Sequence, residues 1–264
     1  MPPVFEFEQP PALLLDIDGV LHVGDEPIKG AIEALAELRG LAGGLRLLTN
    51  TTSRSRAEIT ARLVNSGFAV DERDVLTPAA MAKRQCAASD YSAVRMVVSD
   101  SLREDLQGIP EAAAGAPADA ILLGDVGDDF NAVLLNELFR LMQSGAELVA
   151  LQHNRFWQRE DGLRLDVGAY AAALEYATQK QAIVVGKPSP KFFESALADL
   201  GAMPSDALMV GDDAEADVNG AQAIGIAGVL VRTGKYRPGV VAERGFGPAA
   251  TIDSIADLPA LLAG

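Results

Sequence analysis

The chain has 264 residues, of which 49% are hydrophobic and 22% are charged, and its mean hydropathy is +0.15. This length and composition allow two modest globular domains and exclude a disordered chain. The formal net charge of −15 disfavours nucleic acids and anionic membrane surfaces as partners, because both would repel the protein.

Several further features argue against export, membrane insertion and common metal sites. No apolar run approaches the ~20 residues of a membrane span, and the first residues lack the basic and apolar regions of a signal peptide. The single cysteine, Cys86, excludes an intrachain disulfide and a cysteine-based metal cage. Neither His22 nor His153 has a second ligand-type residue at metal spacing, which disfavours a zinc site. We expect a cytoplasmic protein.

Strand-like and helix-like segments alternate along the chain. Short apolar runs predict strands at 12–16, 45–49, 94–98, 119–123, 147–151, 182–185, 207–211 and 226–231. Helical periodicity predicts helices at 30–40, 54–66, 130–143, 168–179, 190–200 and 214–225. This alternation predicts an α/β fold with a Rossmann-like, doubly wound parallel sheet.

The polar motifs occur only in the outer parts of the chain, and this distribution predicts the domain arrangement. Candidate boundaries lie near Pro78 and near Lys180. We expect a core domain formed by residues 1–78 and 181–264, with an inserted α/β cap domain formed by residues 79–180. One long doubly wound sheet is the alternative.

The first predicted strand ends in the segment Asp16-Ile17-Asp18-Gly19-Val20. Side chains at i and i+2 of an extended segment point to the same side. Asp16 and Asp18 are therefore expected to converge at the carboxyl end of the strand, where open α/β sheets bind ligands. Two carboxylates held close together repel each other, and a bound cation is the usual remedy. A strand followed by an ordinary Asp/Gly turn is the alternative.

Two further strand ends carry groups that suit an anionic ligand. The segment Thr49-Asn50-Thr51-Thr52 offers hydroxyls, an amide and backbone N–H groups as donors, unless these residues only cap the next helix. Lys187 follows the apolar run ending at Val185 and is expected at the same sheet edge. It would supply the local positive charge that a phosphorylated substrate needs in so acidic a chain. A solvated surface lysine is the alternative.

The strand predicted at 207–211 repeats the pattern of the first, since Asp212 and Asp213 follow it directly and Asp217 lies shortly after. Asp213 could be an ordinary helix cap, and Asp217 could simply favour the first helical turn. Asp212 lies at the strand end, before the helix. Because parallel strands bring their carboxyl ends to one edge, we expect all four polar segments to meet there.

These four segments resemble the sequence motifs of the haloacid dehalogenase superfamily. The first segment, Asp16-x-Asp18-Gly19, is similar to its first motif, and the others follow in order as Thr49-Asn50, Lys187, and Gly211-Asp212-Asp213 with Asp217. The resemblance spans nearly the whole chain. It is greatest to the class IIA, or NagD-like, phosphatases, which have a large α/β cap of the C2 type between the second and third motifs. Further similarity to this class lies in residues 165–168, 173–176, 185–193 and 231–238.

The resemblance implies a Mg²⁺-dependent phosphatase that acts on small phosphorylated metabolites. Asp16 would be the nucleophile that forms an aspartyl-phosphate, and Asp18 would be the general acid and base. Lys187, Thr49 and Asn50 would bind the phosphoryl group. Some members of the most similar group have serine where this chain has Asp18. The acid favours phosphomonoester hydrolysis, with phosphoamides and pyrophosphate as the alternative substrates.

The resemblance also implies a ligand set for Mg²⁺, which would be the carboxylates of Asp16 and Asp212 and the backbone carbonyl of Asp18. Asp213 and Asp217 would orient the lysine or a metal-bound water. No organic cofactor is implied.

The inserted region would act as a cap that excludes water and supplies substrate contacts. Its most polar and aromatic segment, residues 152–157, is either a specificity loop or a plain surface turn. His22 is expected to be structural. The oligomeric state stays open between a monomer and a homodimer that pairs through the cap.

Other functions remain as rivals. A signalling receiver domain also uses paired acids, a phospho-accepting aspartate, a threonine and a lysine, but receivers are compact single domains without a large insertion. A true dehalogenase needs no Mg²⁺, so Asp18 and Asp212 would be surplus charge in its halide site. A nucleotide-binding P-loop is not supported, because Tyr236 follows Gly234-Lys235 where serine or threonine is required.

Overall fold

The computed structural model describes residues 7–159, 162–237 and 247–263 and divides the chain into two compact units. The first unit comprises Met1–Thr49, Ala57–Leu76 and Lys187–Gly264, and the second comprises Asn50–Arg56 and Thr77–Gly186. One change of unit thus lies close to the boundary predicted at residue 78, but the other lies at Lys187, later than predicted. The short segment 50–56, expected in the core domain, belongs to the second unit.

The described strands agree with the eight apolar runs and add six short strands. They are β1 (Ala12–Asp16), β2 (His22–Val23), β3 (Glu26–Pro27), β4 (Gly44–Leu48), β5 (Val75–Leu76), β6 (Val94–Val97), β7 (Ala120–Leu123), β8 (Glu147–Ala150), β9 (Phe156–Arg159), β10 (Gly162–Leu165), β11 (Ile183–Val184), β12 (Ala207–Gly211), β13 (Ala227–Val231) and β14 (Ala250–Ile252). The additional strands have two to four residues each, too few to establish a strand period in the sequence.

The described helices include all but one of those predicted. They are α1 (Ala31–Leu41), α2 (Arg56–Asn65), α3 (Pro78–Ala88), α4 (Ala132–Gln143), α5 (Val167–Thr178), α6 (Pro190–Leu200), α7 (Gly220–Gln222) and α8 (Leu258–Ala263). The helix expected at 214–225 is instead a π-helical turn, Ala214–Asn219, that leads into the short α7. Among the described residues, no helix has the length and apolar character needed to cross a membrane.

The first unit is built on a six-stranded parallel sheet in the order β14-β13-β12-β1-β4-β5. The central strand β1 is buried at all five positions. Leu13 and Leu15 pack into one hydrophobic cluster, while Leu14, equally buried, points to the opposite face. A strand that is covered on both faces has a continuous run of apolar residues, and for this reason β1 could be predicted from the sequence. The predicted doubly wound α/β fold is confirmed.

The second unit has its own four-stranded parallel sheet, in the order β11-β8-β7-β6, and an antiparallel hairpin of β9 and β10. β11 is the strand predicted at 182–185, and it pairs with β8. It is therefore not a strand of the first sheet, and the expectation that Lys187 follows a strand of that sheet is wrong.

The segment taken as a domain boundary at residue 78 is also the start of a helix. Thr77 caps α3, since its hydroxyl accepts a hydrogen bond from the Ala80 N–H at 3.3 Å, and Pro78 occupies the first helical position. Proline is favoured there because its missing N–H would have no partner within the helix. The sequence signal for the start of α3 thus lies at the predicted domain boundary.

Candidate active site

The carboxyl ends of β1 and β12 bring together aspartates from distant parts of the sequence. The two strands are neighbours, with Leu15 level with Val210, so Asp16 and Asp212 leave the sheet side by side. Asp16, Asp212 and Asp217 each offer a carboxylate oxygen, and these three oxygens lie within 4.8 Å of one another. All three residues are buried. The first unit therefore holds a compact, buried acidic group at one edge of its sheet.

One buried lysine neutralises part of this charge. Lys187 Nζ lies 2.6 Å from Oδ1 of Asp16 and 2.7 Å from Oδ1 of Asp217. Asp16 Oδ1 also accepts a hydrogen bond from the Ile17 N–H at 2.8 Å. Lys187 is the first residue of the chain after it returns from the second unit, just before α6. Lys187 therefore contacts the acids although the strand before it, β11, does not belong to the first sheet.

Burial and mutual repulsion shift the pKa values of these groups. Burial raises the pKa of Asp16 well above its usual range, and repulsion from Asp217 and Asp212 adds to this effect, while Lys187 opposes it. Burial and Asp217 raise the pKa of Asp212 to about 7. Burial lowers the pKa of Lys187, but attraction to Asp16 and Asp217 outweighs it, so that pKa is raised. A bound cation would favour the ionised carboxylates.

Asp18 does not belong to the buried acidic group. Its side chain is 53% exposed, with Oδ1 at 3.8 Å from Nε2 of His22 and Oδ2 at 3.5 Å from Oγ1 of Thr49. β1 ends at Asp16, and the chain bends at Ile17, so the alternation of an extended strand does not continue to residue 18. The Asp18 carboxylate is thus open to solvent, whereas the Asp16 carboxylate is largely buried.

The second predicted segment is only partly available to a ligand. Thr49 is buried, and its N–H donates to the carbonyl oxygen of Leu76 at 3.3 Å, so this expected backbone donor is used by the sheet. Its hydroxyl is the group that faces Asp18. Asn50 directly follows Thr49 and is the first residue of the segment that belongs to the second unit.

Asp213 has the capping role that its sequence position allowed. Its Oδ1 accepts hydrogen bonds from the N–H groups of Glu215 and Ala216, both at 3.0 Å, at the start of the π-helical turn. Burial opposes ionisation, but attraction to Lys235 and these two hydrogen bonds lower the pKa of Asp213 below its usual value. Asp213 is therefore held by the local backbone.

Asp217 is positioned by the backbone of Asp213 and contacts Lys187. Its Oδ2 accepts a hydrogen bond from the Asp213 N–H at 3.1 Å, and its Oδ1 contacts Lys187. A Cβ atom at Gly211 would lie 2.2 Å from Asp217 Oδ2, so this close approach requires glycine at the end of β12. Asp217 is thus fixed by its own neighbours at the position where its Oδ1 contacts Lys187.

Residues 233–235 contact the acids, although no site role was predicted for them. The Lys235 N–H donates to Oδ2 of Asp212 at 2.7 Å, and Lys235 Nζ lies 3.5 Å from Oδ2 of Asp213. The segment follows β13, the strand next to β12. Its position after another strand of the same sheet was the signal that could have identified it.

The donor set of this site fits a hard divalent cation. Three buried carboxyl groups face one buried ammonium group, so two negative charges would be uncompensated if all three acids were ionised. Within the described residues, Asp212 Oδ1 is buried and has no hydrogen-bond partner. A buried, unpartnered carboxylate oxygen is costly unless a cation binds it. Oxygen-only ligands of this kind suit Mg²⁺ or Ca²⁺.

Comparison with known proteins identifies the family. Residues 13–109 match the family model described as haloacid dehalogenase-like hydrolase, and residues 184–258 match the HAD-hydrolase-like model. Human haloacid dehalogenase-like hydrolase domain-containing protein 2 is 39% identical over 226 residues, covering 86% of this chain and 85% of that protein. The chain belongs to the haloacid dehalogenase superfamily.

Two further proteins to which the chain is similar are phosphatases. Phospholysine phosphohistidine inorganic pyrophosphate phosphatase from Xenopus laevis is 38% identical over 234 residues, covering 86% of this chain and 85% of that protein. The structure of p-nitrophenyl phosphatase from Archaeoglobus fulgidus matches with a TM-score of 0.87 at 26% identity, covering 96% and 99% of the two chains.

Two more structures complete the comparison. NagD from E. coli K-12 shares the fold, with a TM-score of 0.84 at 23% identity and coverage of 94% and 98%. Glycerol phosphate phosphatase from Mycobacterium tuberculosis, in complex with magnesium, matches with a TM-score of 0.83 at 28% identity, covering 95% of this chain and 77% of that one. The chain is thus a haloacid dehalogenase-like hydrolase with a phosphatase among its relatives, and it shares the fold of NagD.

Proposed function

We propose that the chain is a Mg²⁺-dependent phosphatase that hydrolyses small phosphorylated metabolites through an aspartyl-phosphate on Asp16. The observation that carries this proposal is the buried Asp16–Lys187 contact beside Asp212, whose Oδ1 has no partner among the described residues. The proposed nucleophile Asp16, the ammonium group of Lys187 and the Asp212 oxygen that could bind a metal then lie together at one edge of the sheet.

The ion would be held by the carboxylates of Asp16 and Asp212 and by the backbone carbonyl of Asp18. When bound, Mg²⁺ would neutralise charge on the phosphoryl oxygens and so permit an anion to approach another anion. Asp217 is left out of this ligand set because its Oδ1 lies 2.7 Å from Lys187 Nζ and its Oδ2 accepts the Asp213 N–H.

The chemistry of the first step rests on two aspartates. A carboxylate oxygen of Asp16 would attack phosphorus while the bond to the leaving oxygen breaks, and Asp18 would give its proton to that oxygen. Lys187 would stabilise the charge on the transferring group, with the Thr49 hydroxyl and Asn50 as further donors. In the second step Asp18 would take a proton from water as water attacks the aspartyl-phosphate, which releases phosphate and restores Asp16.

We expect Asp18→Asn to slow turnover by about 10²- to 10⁴-fold, because the amide can neither donate nor accept the transferred proton. With p-nitrophenyl phosphate, whose leaving group needs no protonation, a burst of one p-nitrophenolate per active site should precede slow turnover. Stopped-flow absorbance measures both phases. The control is Asp25→Asn, since Asp25 is exposed and forms an ion pair with Arg62. Wild-type turnover by Asp18→Asn would contradict this role.

We expect removal of divalent ions with EDTA to abolish phosphate release and addition of Mg²⁺ to restore it. The measurement is phosphate release from a panel of phosphosugars and other small phosphorylated metabolites. A dehalogenase would release no phosphate from this panel with or without EDTA, and a receiver-like protein would become labelled stoichiometrically without turnover. Either result would contradict the proposal.

The same panel tests a second substrate class. The Xenopus laevis relative is named for phospholysine, phosphohistidine and pyrophosphate, so these compounds belong beside the phosphomonoesters. We expect phosphomonoesters to be preferred, because Asp18 supplies a proton to an alkoxide leaving group. We also propose that residues 79–180 act as the cap and that residues 152–157 form its specificity loop. Pairing of two copies through this region stays a prediction.

A further inference from the structure

The segment after β13 joins two loops of the first unit at the acidic group. The Thr233 hydroxyl donates a hydrogen bond to the carbonyl oxygen of Gly19, in the loop that follows β1. Two residues later, the Lys235 N–H donates to Oδ2 of Asp212 at 2.7 Å. Residues 233–235, here called the clamp loop, thus hold the β1 loop with one end and Asp212 with the other.

Two glycines close around the same oxygen of Asp212. Gly19 and Gly234 both have positive φ angles, +87° and +60°, which side chains of L-residues rarely adopt. A Cβ atom at either position would lie 1.9 Å from Asp212 Oδ2. The Cα of Gly19 would also lie only 2.7 Å from a Cβ at Gly234. Any larger residue at 234 would therefore push the Asp212 carboxylate from its position.

The two oxygens of Asp212 consequently have different environments. Oδ2 accepts the Lys235 N–H and is enclosed by the two glycines, whereas Oδ1 is buried without a hydrogen-bond partner among the described residues. We propose that the clamp loop is a positioning element of the metal site, which holds Oδ2 of Asp212 so that Oδ1 alone serves as the ligand. This inference rests on the proposed divalent-cation site and assigns a function to residues outside its ligand set.

The Lys235 side chain can be separated from the backbone contribution of the clamp loop. Its Nζ lies 3.5 Å from Asp213 Oδ2, and the side chain is 55% exposed. Lys235→Ala keeps the N–H that binds Asp212 and removes only a positive charge near the site. Because that charge repels a cation, Lys235→Ala should bind the ion as tightly as the wild type or more tightly, whereas loosening the clamp loop should weaken binding.

The test is direct binding of Mn²⁺, measured by electron paramagnetic resonance, and of Mg²⁺, measured by calorimetry, on the full chain. Thr233→Val removes the hydroxyl at nearly constant volume, and Thr233→Ser keeps it. We expect Thr233→Val to lower Mn²⁺ affinity about 10-fold and Gly234→Ala by about 10- to 100-fold, the range for residues that orient metal ligands. Thr233→Ser should stay within about 2-fold of the wild type.

Circular dichroism and thermal melts in EDTA report whether each variant folds. If Gly234→Ala does not fold, the Mn²⁺ affinity of Thr233→Val alone tests the inference. The inference is overturned if folded Thr233→Val binds Mn²⁺ like the wild type, or if Lys235→Ala weakens binding as much as Thr233→Val does. A lower melting temperature without a change in affinity would also overturn it. If the wild type itself binds no divalent ion, the proposed function fails together with the inference.

Discussion

Replacing Asp16 with asparagine is expected to lower kcat by about 10⁴-fold or more, because the amide cannot form the aspartyl-phosphate. The same change should leave the fold intact. It removes one of three buried carboxylates that repel one another, and Lys187 retains its contact with Asp217. We therefore expect the melting temperature in EDTA to be equal to or higher than that of the wild type. Steady-state phosphate release and thermal melts measure the two effects.

The matched control for this variant is Asp206→Asn, which changes an exposed aspartate whose Oδ1 accepts a hydrogen bond from Ser205. It should keep wild-type activity. Wild-type-like turnover by Asp16→Asn would rule out the nucleophile, whereas a melting temperature far below the wild type would show that the buried acid is needed for folding. Capture of a phosphorylated wild-type enzyme by acid quench, with no label on Asp16→Asn, would support the covalent step directly.

Replacing Lys187 with methionine is expected to cost about 3–5 kcal/mol in the free energy of unfolding in EDTA, in addition to the loss of activity. The reason is that Asp16 and Asp217 would remain buried beside each other without their shared cation. Breaking a buried ion pair by removing one partner leaves an uncompensated charge, and costs of this size are typical. Urea denaturation followed by circular dichroism measures the change.

A second substitution separates charge from packing. The double variant Lys187→Met with Asp217→Asn removes one of the two stranded carboxylates and should recover a large part of the lost stability. Lys191→Met, at an exposed position in α6, is the control and should be near neutral. If Lys187→Met is as stable as the wild type in EDTA, the buried ion pair does not stabilise the fold as inferred. A double variant less stable than the single variant would point to packing.

Local sequence patterns were sufficient for the elements that carry the site. β1 was predicted at 12–16 and β12 at 207–211, and both lie at those positions. Strands covered on both faces are continuous apolar runs, and such runs can be recognised within five residues. The carboxylates at the ends of these strands were predicted to meet because parallel neighbours end at one edge, and Asp16 and Asp212 do so.

Contacts between residues that are distant in sequence could not be inferred in the same way. Lys187 reaches Asp16 across 171 positions, and it does so from the chain returning from the second unit, because β11 pairs with β8 and not with the first sheet. A two-residue strand looks the same in sequence whichever sheet it joins. Only the fold determines its partner.

The sequence alone determined the α/β class and the order of the main elements, since periodicity is encoded over a few neighbouring residues. It also marked Asp16, Asp212 and Lys187 as candidates because each follows an apolar run. Tertiary structure alone decided which acid each cation meets, that Asp213 caps a helical turn, and that residues 233–235 clamp Asp212. These contacts join loops that follow different strands, and they depend on distances of a few ångströms that no local pattern of residues specifies.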